Sequence, residues 1–191
     1  MKKHLTAFLV VALLLYATLA VAETAPSFEA MGDLEWMFCS GAGGWATYLH
    51  IEPDGSFVGD YHDSEMGDIG DGYPLGSVYG CLFHGRLTLG EQVDEYTWRV
   101  HVDEVELDEG QAPEAIEDEI RYVTTDPYGI KAGNDMLLFL PGTPVDALPE
   151  GFLFWAHILG DDVPDALSCY GLYDEAEDTG FVSYPLDAET E

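Results

Sequence analysis

Residues Phe38–Asp71 read FCSGAGGWATYLHIEPDGSFVGDYHDSEMGDIGD. Trp45, Thr47, Leu49 and Ile51 fall on one face of an extended chain, and Ala46, Tyr48 and His50 fall on the other. A period of two marks a half-buried strand. Pro53-Asp54-Gly55 then supplies a turn, with proline presetting φ and glycine taking the positive-φ position. Phe57, Gly59 and Tyr61 continue the first face, while Val58, Asp60 and His62 continue the second. The stretch is therefore a β-hairpin, and Gly41, Gly43 and Gly44 form a bend or bulge at its entrance. No Gly-Lys-Ser/Thr follows, and the segment enters a strand rather than a helix, so the glycines do not form a phosphate loop.

The same alternation recurs downstream. Ser77–Leu89 and Glu95–Leu107 make a second hairpin with Tyr79, Cys81, Phe83, Leu87 and Leu89 facing Tyr96, Trp98, Val100 and Val102. Two registers are open for it. One sets His84 against His101 and Arg86 against Arg99; a two-residue slip sets Asp103 against His84. Residues 108–118 read as a loop or single helical turn, and 119–124, 135–140, 166–174 and 180–186 as further strands. Phe152, Trp155 and Leu159 recur at helical spacing, so residues 145–159 read as a short helix or a cap over one barrel end. The expected fold class is all-β: a single antiparallel up-and-down barrel of about eight strands with a short helical or loop cap. A two-sheet β-sandwich is the alternative.

Upstream, Lys2, Lys3 and His4 precede the apolar run Leu5–Leu19 and the small-x-small pattern Ala20-Val21-Ala22. That is the pattern of a cleaved signal peptide over residues 1–22. A leader of 23–35, a barrel of 36–186 and an acidic tail of 187–191 complete the expected organisation. The protein is expected to be secreted, with no membrane span after leader removal. No cysteine follows the cleavage site, so a lipid anchor is not expected.

Charge narrows the partners. The chain carries 37 acidic and 6 basic residues and a net charge of −31, which becomes −33 when Lys2 and Lys3 leave with the leader. Such a surface repels phosphate backbones and anionic lipid heads, so nucleic acid and membrane surfaces are not expected partners. A monomer is expected.

Cys39, Cys81 and Cys169 allow three pairings in an exported protein. Cys39–Cys169 is the favoured disulfide if first and last strands neighbour each other, and burial of all three as small apolar groups is the alternative. Asp63, Glu65, Asp68 and Asp71 are candidate calcium ligands on a flexible loop, although their spacing does not match an EF-hand and no cofactor is required. Neither a G-x-S-x-G elbow nor an HExxH motif occurs, and no CxxC spacing suggests zinc.

The blocks SGAGGW, PDGSFVGDYHDS and LPGTP, with YPLGSVYGCLFHGRLTL, EDEIRYVTTDPYGI and YGLYD, resemble a family of uncharacterised exported or lipoprotein-type proteins of Gram-positive anaerobic bacteria. The resemblance covers most of residues 36–173. It implies a small lipocalin-like β-barrel and brings no activity and no catalytic residues. The chain departs from the lipoprotein-type members in lacking the anchoring cysteine.

Aromatic residues carry the functional expectation. Trp45, Phe57, Tyr61, Phe83, Tyr96 and Trp98 fall on presumed inner faces, with Trp155 in a possible lid. In a barrel of about eight strands such side chains either fill the interior or line a pocket for one small apolar ligand. The expected function is a non-enzymatic exported barrel binding a small apolar molecule or a surface partner. The alternative is a metal-dependent or carboxylate-based hydrolase.

Overall fold

A computed structural model describes residues 25–160 and 162–186; the expected leader of 1–22 and the tail of 187–191 lie outside the described residues. Ten strands follow in chain order: β1 (Leu34–Cys39), β2 (Trp45–Ile51), β3 (Ser56–Glu65), β4 (Ser77–Gln92), β5 (Thr97–Leu107), β6 (Glu114–Glu117), β7 (Ile120–Thr124), β8 (Asp135–Phe139), β9 (Gly171–Asp174) and β10 (Thr179–Pro185). Among the described residues one α-helix, α1 (Glu150–Trp155), lies between β8 and β9, and 3-10 turns occupy Phe28–Met31 and Val145–Ala147. Eight strands close an antiparallel up-and-down barrel in the order β1-β2-β3-β4-β5-β8-β9-β10, with β10 returning to β1. The expected barrel is the observed one.

Its membership differs from the sequence count. The segment 23–35 is not merely a leader: Phe28 and Met31 are buried in the core, and β1 begins at Leu34. In LEWMFC the outward Met37 is also apolar, which blurs the alternation of Leu34, Trp36 and Phe38. Conversely, 119–124 contributes β7, which lies outside the barrel. β7 pairs with β6 in a hairpin and runs parallel to the start of β4, from Ser77↔Arg121 to Gly80↔Thr124.

The interior is set by β3 and β4. Their register opposes Phe57 to Gly85 and Gly59 to Phe83. Each ring lies where a Cβ on the opposite glycine would stand, so the two phenylalanines interlock through the two glycines. Glycine is required at both positions because backbone and ring approach too closely for any side chain. Phe57 and Phe83 are at most 1% exposed, and burying each ring contributes about 2–3 kcal/mol. Trp36, Phe38, Val100, Met136, Leu172 and Phe181 complete the filling from the other strands.

The β4–β5 register matches neither expectation. His84 opposes Glu106, Arg86 opposes Glu104 and His101 opposes Thr88, with bulges between Arg86 and Leu87 and between Leu89 and Gln92. With the bulges Arg86 faces the acid Glu104 instead of Arg99, and cross-strand opposite charges are favourable.

A second apolar layer lies outside the barrel wall. Phe152 of α1 packs with Phe139, Tyr173 and Val182 on the outward faces of β8, β9 and β10. The helix therefore covers the wall, and only Trp155 reaches the barrel end.

Substitution of Gly85 tests the interlock. Gly85→Ala is expected to cost about 3 kcal/mol, because its methyl meets both Glu104 O and the Phe57 ring. Gly44→Ala, whose Cβ has only the Ser40 hydroxyl at 3.8 Å, is expected to change stability by less than about 0.5 kcal/mol. Urea denaturation of the two variants measures the difference, and equal losses would refute the interlock.

Candidate functional site

The seven aromatics expected to line one pocket do not converge. Phe57 and Phe83 are interlocked in the core. Trp45 and Trp155 stand together at one barrel end, with ring centroids 5.9 Å apart. Tyr61 sits opposite Cys81, whereas Trp98 opposes Gln92 near the turn at the far end of β4. Tyr96 lies beside Trp98, against Gly142.

Both barrel ends are sealed. At the β2–β3 turn, the Phe28 ring packs against Gly55, and Met31 is 1% exposed. At the opposite end the loop 125–131 crosses the mouth. Thr47 Oγ1 donates to Tyr128 O at 2.6 Å, and Thr179 Oγ1 donates to Gly129 O at 3.0 Å. These inward hydroxyls satisfy loop carbonyls that would otherwise be buried unpaired. Tyr128 then closes on Phe38 and Trp45, with centroids 5.2 Å away in both cases. Trp155 Nε1 donates to Asp178 O at 2.6 Å and locks the helix end onto the β9–β10 turn. Between this plug and the rim remains an open groove of about 330 Å³, walled by Val105, Leu107 and Ile130 and edged by the Lys131–Glu177 pair at 2.8 Å. Within the core one polar atom, Trp36 Nε1, has no protein acceptor.

The acidic loop is organised around a cation of the protein itself. Asp68 accepts hydrogen bonds from the Tyr79 hydroxyl at 2.6 Å and from Arg121 Nη1 at 3.3 Å, and its backbone carbonyl accepts one from Ser77 Oγ at 3.0 Å. The Tyr79 bond, with those of Ser77 and Arg121, holds the Asp68 carboxyl below the ordinary aspartate value. Glu65 accepts the N–H of Gly67 at 3.2 Å. Asp63, Glu65, Asp68 and Asp71 thus do not gather, and among the described residues no group of three or more His, Cys, Asp or Glu side chains is placed to hold a metal ion.

Cys39, Cys81 and Cys169 are free thiols, so the expected Cys39–Cys169 disulfide is not formed. First and last barrel strands do neighbour each other, but the register separates the two residues. β1 pairs with β10 through Met37↔Val182, which carries Cys39 on towards Gly180. On the other side of β10, Tyr170 O accepts the Ser183 N–H, which places Cys169 towards Tyr184. Four residues of strand span about 13 Å, beyond the Cα separation of about 7 Å that a disulfide bridges. Burial pushes the Cys81 thiol up to about 11, so it is a poor nucleophile at neutral pH.

Histidines on the outer wall pair with carboxylates. His50 lies 3.6 Å from Glu52 and His62 3.7 Å from Asp60. His84 Nδ1 bonds Asp108 at 2.7 Å, and His101 Nδ1 bonds Asp135 at 2.8 Å. His101 has Thr88 opposite, yet the Thr88 hydroxyl donates to Asp103 at 2.7 Å and not to the ring. These dyads therefore lack the nucleophile-to-base bond of a triad.

One feature was hidden from the sequence. The β6–β7 hairpin stands off the barrel wall and leaves an open groove of about 310 Å³ between Ala115 and Tyr122 on one side and Asp60, His62 and Leu82 on the other. Gln111 anchors its root: its amide accepts the Leu82 N–H at 2.7 Å and donates to the Leu82 carbonyl at 2.7 Å. The side chain thereby fills the ladder where β4 passes from β7 to β5. Two short alternating runs flanked Asp118-Glu119, but that turn lacks the glycine or asparagine that signals a hairpin. Comparison of the chain with protein-family models, with curated proteins and with solved structures found no match.

The His84–Asp108 bond raises the imidazole above its ordinary value, with desolvation opposing it and the charges of Asp108, Glu106 and Glu104 adding to it. A raised value in the folded state stabilises the fold fully below the unfolded histidine value of about 6.5, and the stabilisation is lost as pH rises through the folded value. The Tm gap between wild type and His84→Gln is therefore expected to be largest near about pH 5.5 and to shrink by about pH 9. A gap constant across that range, read by thermal melts, contradicts the charge-dependent pairing.

Proposed function

We propose that this protein acts outside the cytoplasm as a non-enzymatic barrel that binds a macromolecular partner on its outer surface. The observation that supports this reading is the filled interior. Phe57 and Phe83 interlock, Phe28 and Met31 close one end, and Tyr128 with Trp155 closes the other. A barrel that holds a small apolar ligand needs an interior cavity of several hundred Å³ that buries most of the ligand. Here concave spaces of about 330, 310 and 320 Å³ are open grooves at the rim and on the wall. The leader pattern of residues 1–22 supports export. The net charge of −31 favours a cationic partner by long-range attraction.

Parallel titrations test this reading. The full chain is titrated with cis-parinaric acid, a fluorescent fatty acid, and with oligolysine at physiological ionic strength. No saturable fatty-acid binding and no rise in Tm are expected, against salt-sensitive binding of the cationic peptide. One-to-one uptake of the fatty acid with a raised Tm would overturn the outer-surface reading in favour of an internal pocket.

A further inference from the structure

We propose that the open edge of β6 docks an extended, lysine- or arginine-rich segment of a partner protein, which adds to the hairpin as a further strand. This rests on the outer-surface reading and gives it a place. A closed barrel has no free strand edge, and β6 reintroduces one. β6 pairs with β7 on one side, and among the described residues no backbone hydrogen bond reaches its other side. Alternate N–H and C=O groups of Glu114–Glu117 thus face solvent, which is the template used in strand addition.

Charge selects the occupant. Glu114 and Glu117 lie on the edge, and Asp118 and Glu119 form its turn. The cation of this hairpin, Arg121, is already bonded to Glu114 at 2.9 Å and to Asp68 at 3.3 Å. A second copy of the chain pairing here would oppose these acids to their equivalents, and like charges across a strand pair are destabilising. A basic strand meets them favourably. Apolar surface lies next to the acids: Ile116 is 48% exposed, and Ile69 and Tyr122 are 60% and 41% exposed. Successive side chains of a strand point to opposite faces, so one face carries Glu114 with Ile116 and the other Glu117 with Tyr122, and a segment that mixes basic and apolar residues meets an acid and an apolar group on either face.

The turn supports the same assignment. Asp118 and Glu119 both have positive φ, 48° and 66°, a backbone region that residues other than glycine rarely adopt. The pairing of β7 with β4 holds the hairpin in place despite this strain and keeps two adjacent carboxylates at its tip.

The probe is a short peptide alternating lysine and valine, compared at fixed ionic strength with an N-methylated copy that cannot form the ladder. The peptide is expected to bind the full chain one-to-one, to protect the outward-facing amides of Glu114 and Ile116 from hydrogen exchange, and to bind more tightly than the N-methylated copy. Glu117→Lys is expected to weaken it about fivefold. Glu95→Lys makes the same charge change in the β4–β5 turn and is expected to leave binding unchanged. Equal weakening by both variants, equal binding of both peptides, or protection elsewhere would overturn the β6 assignment while leaving the outer-surface reading intact. Protection of the β6 amides without peptide, growing with protein concentration, would overturn it in favour of self-pairing.

Discussion

Everything in this barrel depends on how closely β3 and β4 approach at Phe57, Gly59, Phe83 and Gly85. Because each glycine gives up its side-chain volume to the ring opposite, two aromatic side chains fit where the pleat would otherwise hold four ordinary ones. The β3–β4 wall thereby contributes two interlocked rings, and Trp36, Phe38, Val100, Met136, Leu172 and Phe181 fill the rest of the interior from the other strands. Such packing buries these side chains against one another across the barrel interior.

The outer wall has its own logic. Arg86, Arg99, Arg121 and Lys131 each contact a carboxylate: Asp54 at 3.6 Å, Glu91 at 3.1 Å, Asp68 and Glu114 at 3.3 and 2.9 Å, and Glu177 at 2.8 Å. Most of these pairs are solvent-exposed, and each adds little stability. Only the Arg121 cluster, tied to Tyr79 and Ser77 through Asp68, organises backbone, because it fixes the 66–76 loop against β7. Among the described residues the Arg and Lys ion pairs engage Asp54, Asp68, Glu91, Glu114 and Glu177. His50, His62, His84 and His101 lie within 4.0 Å of carboxylates on this same wall.

Much of the fold was legible because period-two alternation is a local signal. The faces of β2 and β3 follow from residues 45–62 alone, and their pairing through Pro53-Asp54-Gly55 matches Ile51↔Phe57. Three things were not local. β1 carries apolar groups on both faces, since Met37 faces outward beside Val182, so its alternation was weak. The β4–β5 register depends on two bulges that no residue type announces. Membership of β7 depends on a parallel pairing with residues more than 40 positions earlier, and sequence spacing carries no mark of it. The site suffered most: six of the aromatics share an inward phase, but inward phase does not distinguish a lining from a filling. That distinction was set by Gly59 and Gly85, whose small size the sequence offers equally to a ligand or to a ring.

The same register explains why the barrel carries an appendage. β4 spans Ser77–Gln92 and β5 pairs with it only from Phe83 onward, so the first residues of β4 extend past the barrel wall on that side. Their backbone groups need partners. β7 supplies them from Ser77 to Gly80, and the Gln111 amide supplies them at Leu82. Once β7 is present, its own far side must be covered, and β6 covers it. Each step moves the free edge one strand outward without removing it, because only closure removes an edge. The edge finally rests on the four residues of EAIE, short and acidic at both ends, which guard against indiscriminate pairing and admit a strand of opposite charge.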